Sequence, residues 1–250
     1  AQSVTAHCRM HKSDNEIALM QAVMNMTLAV HQATASMLYI GISTTAVEAF
    51  IKRAHQAVGA PGNYFCIVLF GVATSFPHGV KDAQVLQAGD MVLIDTGCKV
   101  HDYLSDITRT YVFGEPTDEQ REFWNMEKTA QLAAFNAAKI GVPCEAVDDA
   151  ARGYLASQGL GPEYQTPGCP HRTGHGIGLD IHEWPYLVGG NKTQLATGMC
   201  FSNEPMLVIP DKFGIRLEDH FYMTDQGARW FTEPSSSIDD PLGLINSDNL

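Results

Sequence analysis

The sequence predicts an α+β fold built from two similar halves, and two observations carry this prediction. Helix signals followed by β-rich runs occur in the first half of the chain and return in the same order in the second. In addition, residues 86–95 and 195–204 align, because each segment has a glycine six residues before an acid that ends an apolar run. Another acid follows each of these, and the four acids are Asp95, Asp106, Glu204 and Glu218. The repeat is too long for a solenoid, so it predicts duplicated half-domains whose acids converge at a pseudo-twofold axis.

The first half begins with a capping box formed by Ser13 and Glu16, after which apolar residues recur at helical spacing. Thr45 and Glu48 begin a second helix. β-rich runs bounded by turn signals follow the helices. The elements expected in this half are helices from Ser13 to about 38 and from 45 to about 58, and strands over about 64–72, 91–94 and 107–113.

The second half repeats this order, beginning with a capping signal at Thr117 and Gln120. A loop rich in glycine, proline and histidine separates its helices from its strands. A loose tail is expected from Pro234 onward, where serine, aspartate and asparagine are frequent. The expected elements are helices over about 117–140 and 145–157, a loop over 159–178, and strands over about 199–209 and 215–224.

Composition and charge narrow the class of protein. Of the 250 residues, 45% are apolar, which is enough for a sizeable core. The net charge of −12 argues against nucleic-acid binding, which requires a basic face, and no apolar run is long enough to span a membrane. Six cysteines without a Cys-x-x-Cys pair, in a sequence that shows no signal peptide, predict reduced thiols and a cytoplasmic protein.

Asp95 and Asp106 form the first pair of candidate site residues. Asp95 ends an apolar run, where a buried carboxylate is unfavourable unless it is paired or bound to a metal. If the β-rich runs on either side pair as a hairpin, Asp106 meets Asp95 and a cation is needed between them. Three alternatives remain open: an Asx turn at Asp95, an aspartic-protease motif that would require a dimer, and a surface Asp106 paired with Arg109.

The segment 173–183, Thr-Gly-His-Gly-Ile-Gly-Leu-Asp-Ile-His-Glu, holds the next candidates. Its glycines allow the backbone to approach another group closely. Neither the dinucleotide-binding fingerprint nor the His-Glu-x-x-His zinc helix fits its spacing. A single histidine is more often structural than a ligand, but His175 and His182 lie seven residues apart in this glycine-rich turn. We therefore interpret both as site residues.

The second pair of acids lies in the strands of the second half. Glu204 precedes a proline at a strand end, and Glu218 enters an apolar run with Arg216 on the same face of an extended chain. A cap and a simple Arg–Glu pair are the alternative roles. As a set, four carboxylates and one histidine from two similar halves would neutralise two divalent cations. Oxygen-rich ligation with one imidazole suits Mn²⁺, Co²⁺ or Zn²⁺.

On these residues the chain resembles the pita-bread metallopeptidases, a family that includes aminopeptidase P, prolidase and methionine aminopeptidase. The resemblance covers about residues 9–232. It implies a pita-bread fold, in which pseudo-twofold-related half-domains form a curved antiparallel sheet flanked by helices. It also implies two divalent metal ions per chain, with Mn²⁺ favoured over Co²⁺ or Zn²⁺. By this resemblance, one metal binds to Asp95, the other binds to His175 and Glu204, and both are bridged by Asp106 and Glu218.

The resemblance implies catalytic roles as well. Glu204 would be the general base for the metal-bound water, while His78, in Phe-Pro-His-Gly, and His182 would bind the substrate and stabilise the tetrahedral intermediate. Arg216 would orient Glu218. The implied reaction is hydrolysis of the peptide bond between an amino-terminal residue and proline. The implied nucleophile is a hydroxide that bridges the two metal ions.

Within the family, the run Gly-Ile-Arg-Leu-Glu-Asp-His at 214–220 is similar to the proline-peptidase branch, closest to the catalytic domain of bacterial Xaa-Pro dipeptidases. Methionine aminopeptidase is the alternative enzyme, and a peptide-binding domain without metals is the alternative outside enzymes. All five ligand positions are filled, which argues against the latter. The expected partners are a short peptide with proline at its second position and a second copy in a homodimer, with neither nucleic acid nor a membrane.

The expected organisation is a residual linker at 1–8, a catalytic domain at 9–233 and a tail at 234–250. Relatives in this family normally carry an additional amino-terminal domain, whereas the resemblance here begins near residue 9, so we expect the chain to be a fragment. A further departure concerns the substrate carboxylate. Some prolidases hold it with an arginine in the region that corresponds to 186–197, where this chain has Lys192 but no arginine. The sequence therefore leaves a preference for dipeptides open.

Overall fold

The computed structural model describes residues 2–243, which form five α-helices and eleven strands. The helices are α1 (Gln2–Met10), α2 (Asp14–Met37), α3 (Thr44–Ala57), α4 (Asp118–Ala137) and α5 (Cys144–Ser157). A short 3₁₀ helix, Gly71–Ser75, follows the first strand. The strands are β1 (Asn63–Phe70), β2 (Met91–Val100), β3 (Tyr103–Leu104), β4 (Ile107–Val112), β5 (Gly174–Gly176), β6 (Glu183–Leu187), β7 (Cys200–Asn203), β8 (Met206–Ile209), β9 (Phe213–Arg216), β10 (Asp219–Thr224) and β11 (Gly227–Trp230).

The strands form three antiparallel sheets. In the first sheet, β2 lies between β1 and β4, and its far end pairs with β3. The second sheet has the order β11-β10-β7-β5-β6, and the third is the hairpin of β8 and β9. An isolated β-bridge between Thr108 and Glu218 joins the first sheet to the second. The two halves of the chain therefore meet along β4.

Two main apolar clusters form the core. In the first half, side chains of α2 and α3, such as Val30 and Ile51, pack on β1 and β2. In the second half, α4 and α5 pack on the second sheet around Trp124 and Phe221. Over residues 2–243, none of the helices combines the length and the apolar character that crossing a bilayer requires.

The two halves repeat at the level of individual hydrogen bonds. Gly41 N donates to Leu86 O at 2.9 Å, and Gly141 N donates to Leu195 O at 2.8 Å. Each bond ties the turn after the long helix of its half to the turn before the acid-bearing strand. A second matched pair of bonds, both 2.8 Å long, joins Gly89 N to Phe113 O and Gly198 N to Met223 O. The predicted duplication of a half-domain is confirmed.

The predicted helices and their starting points are confirmed. Ser13 Oγ accepts from Glu16 N at 3.4 Å, and Glu16 Oε2 accepts from Ser13 N at 2.8 Å. Thr117 and Gln120 cap α4 in the same reciprocal way. The hairpin predicted between the two β-rich runs of the first half is also present, as β2 and β4.

Several predicted boundaries differ from the structure. The single strand expected over 199–209 is two strands, because Pro205 has no N–H to donate and interrupts the ladder. The strand expected over 215–224 is likewise divided, between Arg216 and Asp219. The loop expected over 159–178 contains β5, where the three residues pair with β6 and β7.

Both ends of the chain depart from what the sequence indicated. Most of the segment 1–8, expected to be a linker, belongs to α1, and residue 1 lies outside the described residues. The prediction of a loose tail is wrong as far as residue 243, because Ile238 packs in the core of the second half and Leu242 is buried. Leu242 O also accepts from Gln32 Nε2 at 3.1 Å. Residues 244–250, the remainder of that predicted tail, lie outside the described part.

Buried polar groups of α4 hold the strand segments that carry two of the predicted site residues. Gln131 Nε2 donates to Leu217 O and to Asp219 Oδ2, both at 3.0 Å, and Asn203 Nδ2 donates to Gln131 O at 2.9 Å. Glu127 Oε1 accepts from Leu217 N at 3.4 Å, but its Oε2 is buried without a hydrogen-bond partner. Burial raises the pKa of Glu127 well above its usual value, which favours the protonated form of this carboxyl.

Replacing Gly97 by alanine should destabilise the fold strongly. An added Cβ would lie 1.8 Å from Ser105 O, a backbone atom between β3 and β4 whose residue is held by donation of Ser105 N to Cys98 O at 3.0 Å. We expect the free energy of unfolding to fall by at least about 3 kcal/mol, measured by denaturant unfolding. Gly153→Ala is the matched control, because its Cβ would meet nothing within 4 Å in α5, and it should stabilise by up to about 1 kcal/mol. Equal stability of the two variants would contradict the close approach at Gly97.

The free energy of unfolding of Glu127→Gln should increase relative to that of the wild type as the pH rises. The raised pKa of Glu127 in the folded state means that, above the ordinary carboxyl pKa of about 4.3, the folded protein binds more protons than the unfolded chain. The free energy of unfolding of the wild type therefore falls with increasing pH in this window, whereas glutamine does not titrate. Urea unfolding at about pH 5 and about pH 8 measures the difference.

Glu122→Gln, on the exposed side of the same helix, is the matched control for the loss of one carboxyl group. A stability difference between Glu127→Gln and the wild type that stays constant over this pH range would mean that Glu127 is ionised in the folded protein.

Candidate metal centre

A cavity of about 660 Å³ is lined by residues from both halves of the chain. Every residue that the sequence predicted for the site lines it. These residues are His78, Asp95, Asp106, His175, His182, Glu204, Arg216 and Glu218. The five predicted ligands among them are buried, with exposed fractions of 7% or less. The structure therefore brings together groups that lie up to 140 residues apart in the sequence.

The strand topology places the four acids at this cavity. Asp95 lies in β2 opposite Thr108, and Asp106 immediately precedes β4, so the hairpin brings the two carboxylates together as predicted. Glu204 occupies the break between β7 and β8, and Glu218 the break between β9 and β10. Glu218 N donates to Thr108 O at 3.1 Å, which fixes the second half against the first at this point.

His175 stands among the carboxylates. Its Nε2 lies 3.1 Å from Glu204 Oε1 and 3.7 Å from Asp106 Oδ2. Its Nδ1 lies 2.9 Å from Gly176 O, and donation of Nδ1–H to that carbonyl leaves the Nε2 lone pair directed at the carboxylates. Ser202 Oγ accepts from His175 N at 2.8 Å and donates to Glu204 Oε1 at 3.1 Å. The Ser202 hydroxyl thus links the backbone of His175 to the carboxylate of Glu204.

Two groups of three ligand-type atoms share the Glu218 carboxylate. Atoms of His175, Glu204 and Glu218 all lie within 4.8 Å of one another, and so do atoms of Asp106, Glu218 and His220. Of the two predicted bridging residues, Glu218 belongs to both groups, whereas Asp106 belongs to one. Asp95, also a predicted ligand, belongs to neither group.

Three carboxylate oxygens in this cluster are buried without a hydrogen-bond partner, namely Asp95 Oδ1, Asp106 Oδ1 and Glu218 Oε1. Burial and the neighbouring carboxylates raise the pKa of Asp106 and of Glu218 well above the usual range. An unpartnered buried carboxylate is unfavourable unless a cation approaches it. Four carboxylates with an imidazole fit divalent metal ions that accept oxygen and nitrogen ligands.

Arg216 acts on Glu218 through a threonine. It donates directly to Asp95 Oδ2 from Nη2, and to Pro77 O at 3.2 Å from Nη1. Its Nε donates to Thr108 Oγ1 at 3.1 Å, and that hydroxyl donates to Glu218 Oε2 at 2.6 Å. The predicted orientation of Glu218 by Arg216 is therefore indirect, and the carboxylate that the guanidinium touches is Asp95.

The two predicted substrate-binding histidines are more open to solvent than the ligands. His182 packs edge-to-face on His175, with ring centroids 4.4 Å apart, and partial burial next to that ring lowers the pKa of His182. The His182 ring is therefore neutral at neutral pH. His78 lies in the exposed loop after the 3₁₀ helix, 6.3 Å from the ring of His171.

Two further histidines, His171 and His220, were not selected from the sequence. His171 Nδ1 lies 3.8 Å from Glu204 Oε2, and His220 Nε2 lies 3.9 Å from Glu218 Oε1. The signal for His220 was available, because residues two apart in a strand share a face and His220 follows Glu218 by two. His171 lies in a segment without periodicity, so no local pattern marked it.

Arg152 holds the loop that carries His171. Its Nη1 donates to Glu163 O at 2.7 Å and to Cys169 O at 2.8 Å, and its Nη2 donates to His171 O. Its Nε donates to Asp148 Oδ2 at 2.9 Å. One side chain of α5 thereby satisfies three carbonyl groups of an irregular segment, which fixes that segment against the cavity.

Arg172 is a cation at the cavity whose guanidinium has no acidic partner among residues 2–243. Its Cζ lies 5.0 Å from the ring centroid of Tyr186, and its buried Nε has no hydrogen-bond partner. Lys192, the cation noted in the sequence, does not line the cavity and pairs with Glu145 instead. An anionic group of a ligand would therefore meet Arg172 rather than Lys192.

Comparison with known proteins places these residues in context. Residues 18–225 match metallopeptidase family M24. The chain is 35% identical over 237 residues to an Xaa-Pro dipeptidase of Lactobacillus delbrueckii subsp. lactis and 40% identical over 229 residues to a probable dipeptidase PepE of Mycobacterium tuberculosis. These alignments cover 93% and 91% of this chain but 62% and 60% of those proteins, so the chain spans about three fifths of their length.

Solved structures agree with this result. A prolidase from Pyrococcus furiosus superposes with a TM-score of 0.87 at 33% identity, over 92% of this chain and 67% of that one. The dipeptidase PepE of Mycobacterium ulcerans gives a TM-score of 0.87 at 37% identity, over 93% of this chain and 62% of that one. The predicted pita-bread fold is confirmed. With most of its length matched in sequence and in structure, the chain belongs to metallopeptidase family M24.

Proposed function

We propose that this protein hydrolyses the peptide bond between an amino-terminal residue and a following proline. The observation that carries the proposal is the convergence of four carboxylates and an imidazole in one cavity, with three buried carboxylate oxygens unpaired. The names of similar proteins support the proline preference, since they include Xaa-Pro dipeptidases, prolidases and an X-Pro aminopeptidase. The proposed ligands of two divalent cations are Asp95, Asp106, His175, Glu204 and Glu218.

Different side chains of the cavity have different proposed roles in the reaction. Divalent cations, when bound, would lower the pKa of a water molecule and polarise the scissile carbonyl. Glu204, held by Ser202 and His175, would accept a proton from the attacking water and would pass it to the leaving proline nitrogen. His182, neutral at neutral pH, donates a hydrogen bond to the substrate oxygen that gains charge, and His78 contacts the substrate from the exposed side.

Mn²⁺ is the proposed metal, with Co²⁺ or Zn²⁺ as alternatives, because the ligand set is rich in oxygen. A homodimer is proposed on the family resemblance. A cytoplasmic location is proposed because all six cysteines are free.

Reconstitution with Mn²⁺ should give about two metal ions per chain, measured by elemental analysis after gel filtration. Glu218→Gln should lose most of this metal, because both groups of candidate ligand atoms include Glu218. Glu119→Gln is the matched control, since it removes an exposed acid from α4 that pairs with Lys212, and it should retain the wild-type content. Full metal content in Glu218→Gln, or none in the wild type, would contradict the proposed centre.

The Mn²⁺-loaded protein should release the amino-terminal residue from Ala-Pro or Ala-Pro-Ala and leave Met-Ala-Ser intact, as measured by chromatography of the products. Glu204→Gln should lower kcat by about 100-fold or more, because the proton acceptor is removed, while the circular dichroism spectrum stays unchanged. Metal content is measured in the same samples, with Glu119→Gln as the control.

The peptide panel separates the alternatives. Cleavage of Met-Ala-Ser alone would favour a methionine aminopeptidase. A protein that holds two metal ions and cleaves none of the three peptides would favour a peptide-binding domain, and either result would contradict the proposed function.

A further inference from the structure

His220 is a buried side chain whose hydrogen-bonding capacity is unused. It lies in β10 with no exposed surface, and neither of its ring nitrogens has a hydrogen-bond partner among residues 2–243. The backbone of Asp106 lies beside the ring but does not complete a well-formed hydrogen bond. Burial of an imidazole without partners is unfavourable, so this position calls for a ligand.

The other buried histidines of the described chain do not share this property. His31 Nε2 lies 2.9 Å from Ile107 O, and His55 lies within 3.2 Å of both a hydroxyl group and a carbonyl group. His175 Nδ1 lies 2.9 Å from Gly176 O. Each of these three histidines has a partner for at least one ring nitrogen, although His31 Nδ1 has none; among the buried histidines of residues 2–243, His220 is the one that lacks a partner at both ring nitrogens.

The unpartnered groups around His220 face one another. His220 Nε2 lies 3.9 Å from Glu218 Oε1, and one ligand-type atom each from Asp106, Glu218 and His220 lies within 4.8 Å of the other two. Asp106 Oδ1 and Glu218 Oε1 also lack hydrogen-bond partners. A single proton shared by two of these groups would leave the third unsatisfied. A divalent cation accepts lone pairs from all three at once.

The group formed by Asp106, Glu218 and His220 has a counterpart that also contains Glu218. There, His175 and Glu204 complete a group of three, so each group contains one imidazole. His220 does not line the cavity, which removes contact with a substrate as an explanation for it. The carboxyl groups that approach its ring are those of Asp106 and Glu218, two of the proposed ligands.

We propose that His220 is a direct ligand, together with Asp106 and Glu218, of one of the two divalent cations, so that each cation receives one imidazole. This proposal rests on the metal centre of the proposed function. It changes the expected metal preference, because a second nitrogen ligand strengthens binding of Co²⁺ and Zn²⁺ relative to Mn²⁺.

The test counts coordinated imidazoles. The protein is labelled with ¹⁵N-histidine and loaded with Mn²⁺, and pulsed electron paramagnetic resonance detects the nitrogens bound to the metal. We expect two in the wild type and one in His220→Asn. We also expect His220→Asn and His220→Ala to raise the Kd for Zn²⁺ at least about tenfold, measured by competition with a chromophoric chelator. His7→Ala, which removes an exposed imidazole from α1, should leave both readouts unchanged.

The outcomes separate this proposal from the proposed function. One coordinated imidazole in the wild type would overturn the role of His220, even if both variants fail to fold, and would leave the peptidase proposal intact. An unchanged nitrogen count and Kd in folded His220→Asn would overturn it as well. Two imidazoles in a protein that cleaves no proline peptide would support the ligand assignment and contradict the peptidase. A wild type that binds no metal would overturn both.

Discussion

The confinement of four carboxylates to one buried cavity is the constraint on which the rest of the structure depends. Like charges removed from water destabilise a fold unless protons or cations offset them. Of the two arginines at the cavity, Arg216 alone forms an ion pair with one of these carboxylates in the described chain, and that carboxylate is Asp95. The remaining charge has to be balanced from outside the polypeptide. Stability and cation affinity are therefore coupled in this protein.

The seam between the two halves explains how the charges are kept together. Thr110 Oγ1 donates to Arg216 O at 2.7 Å, and Arg109 Nη1 donates to Glu218 O at 2.9 Å. Arg109 also forms a fully buried ion pair with Asp219 at 2.6 Å. These contacts join β4 of the first half to the strand break that carries Glu218. Because each half contributes two of the four acids, neither half holds the proposed centre alone.

Features that depend on near neighbours in the sequence were predictable, and features that depend on the seam were not. Capping at Ser13 and the hairpin that joins Asp95 to Asp106 follow from local spacing, and both are present. The strand break before Glu218 lacks a proline and depends on the bridge to Thr108, which no local pattern records. The eight predicted site residues all line one cavity. The four acids were found because each follows or enters an apolar run, whereas His78 was predicted from the family resemblance alone. The surroundings of His220 depend on the packing of β10 beside β4, which local spacing in the sequence does not determine.

The matched hydrogen bonds of the two halves have a consequence for how the site can change over evolution. Nine more residues lie between Gly141 and Leu195 than between Gly41 and Leu86, although the same backbone bond closes each interval. The longer interval contains His171, and with it every other histidine of the second half except His220. Because the same backbone bond closes both intervals, the interval that carries these histidines can differ in length without loss of the framework contact.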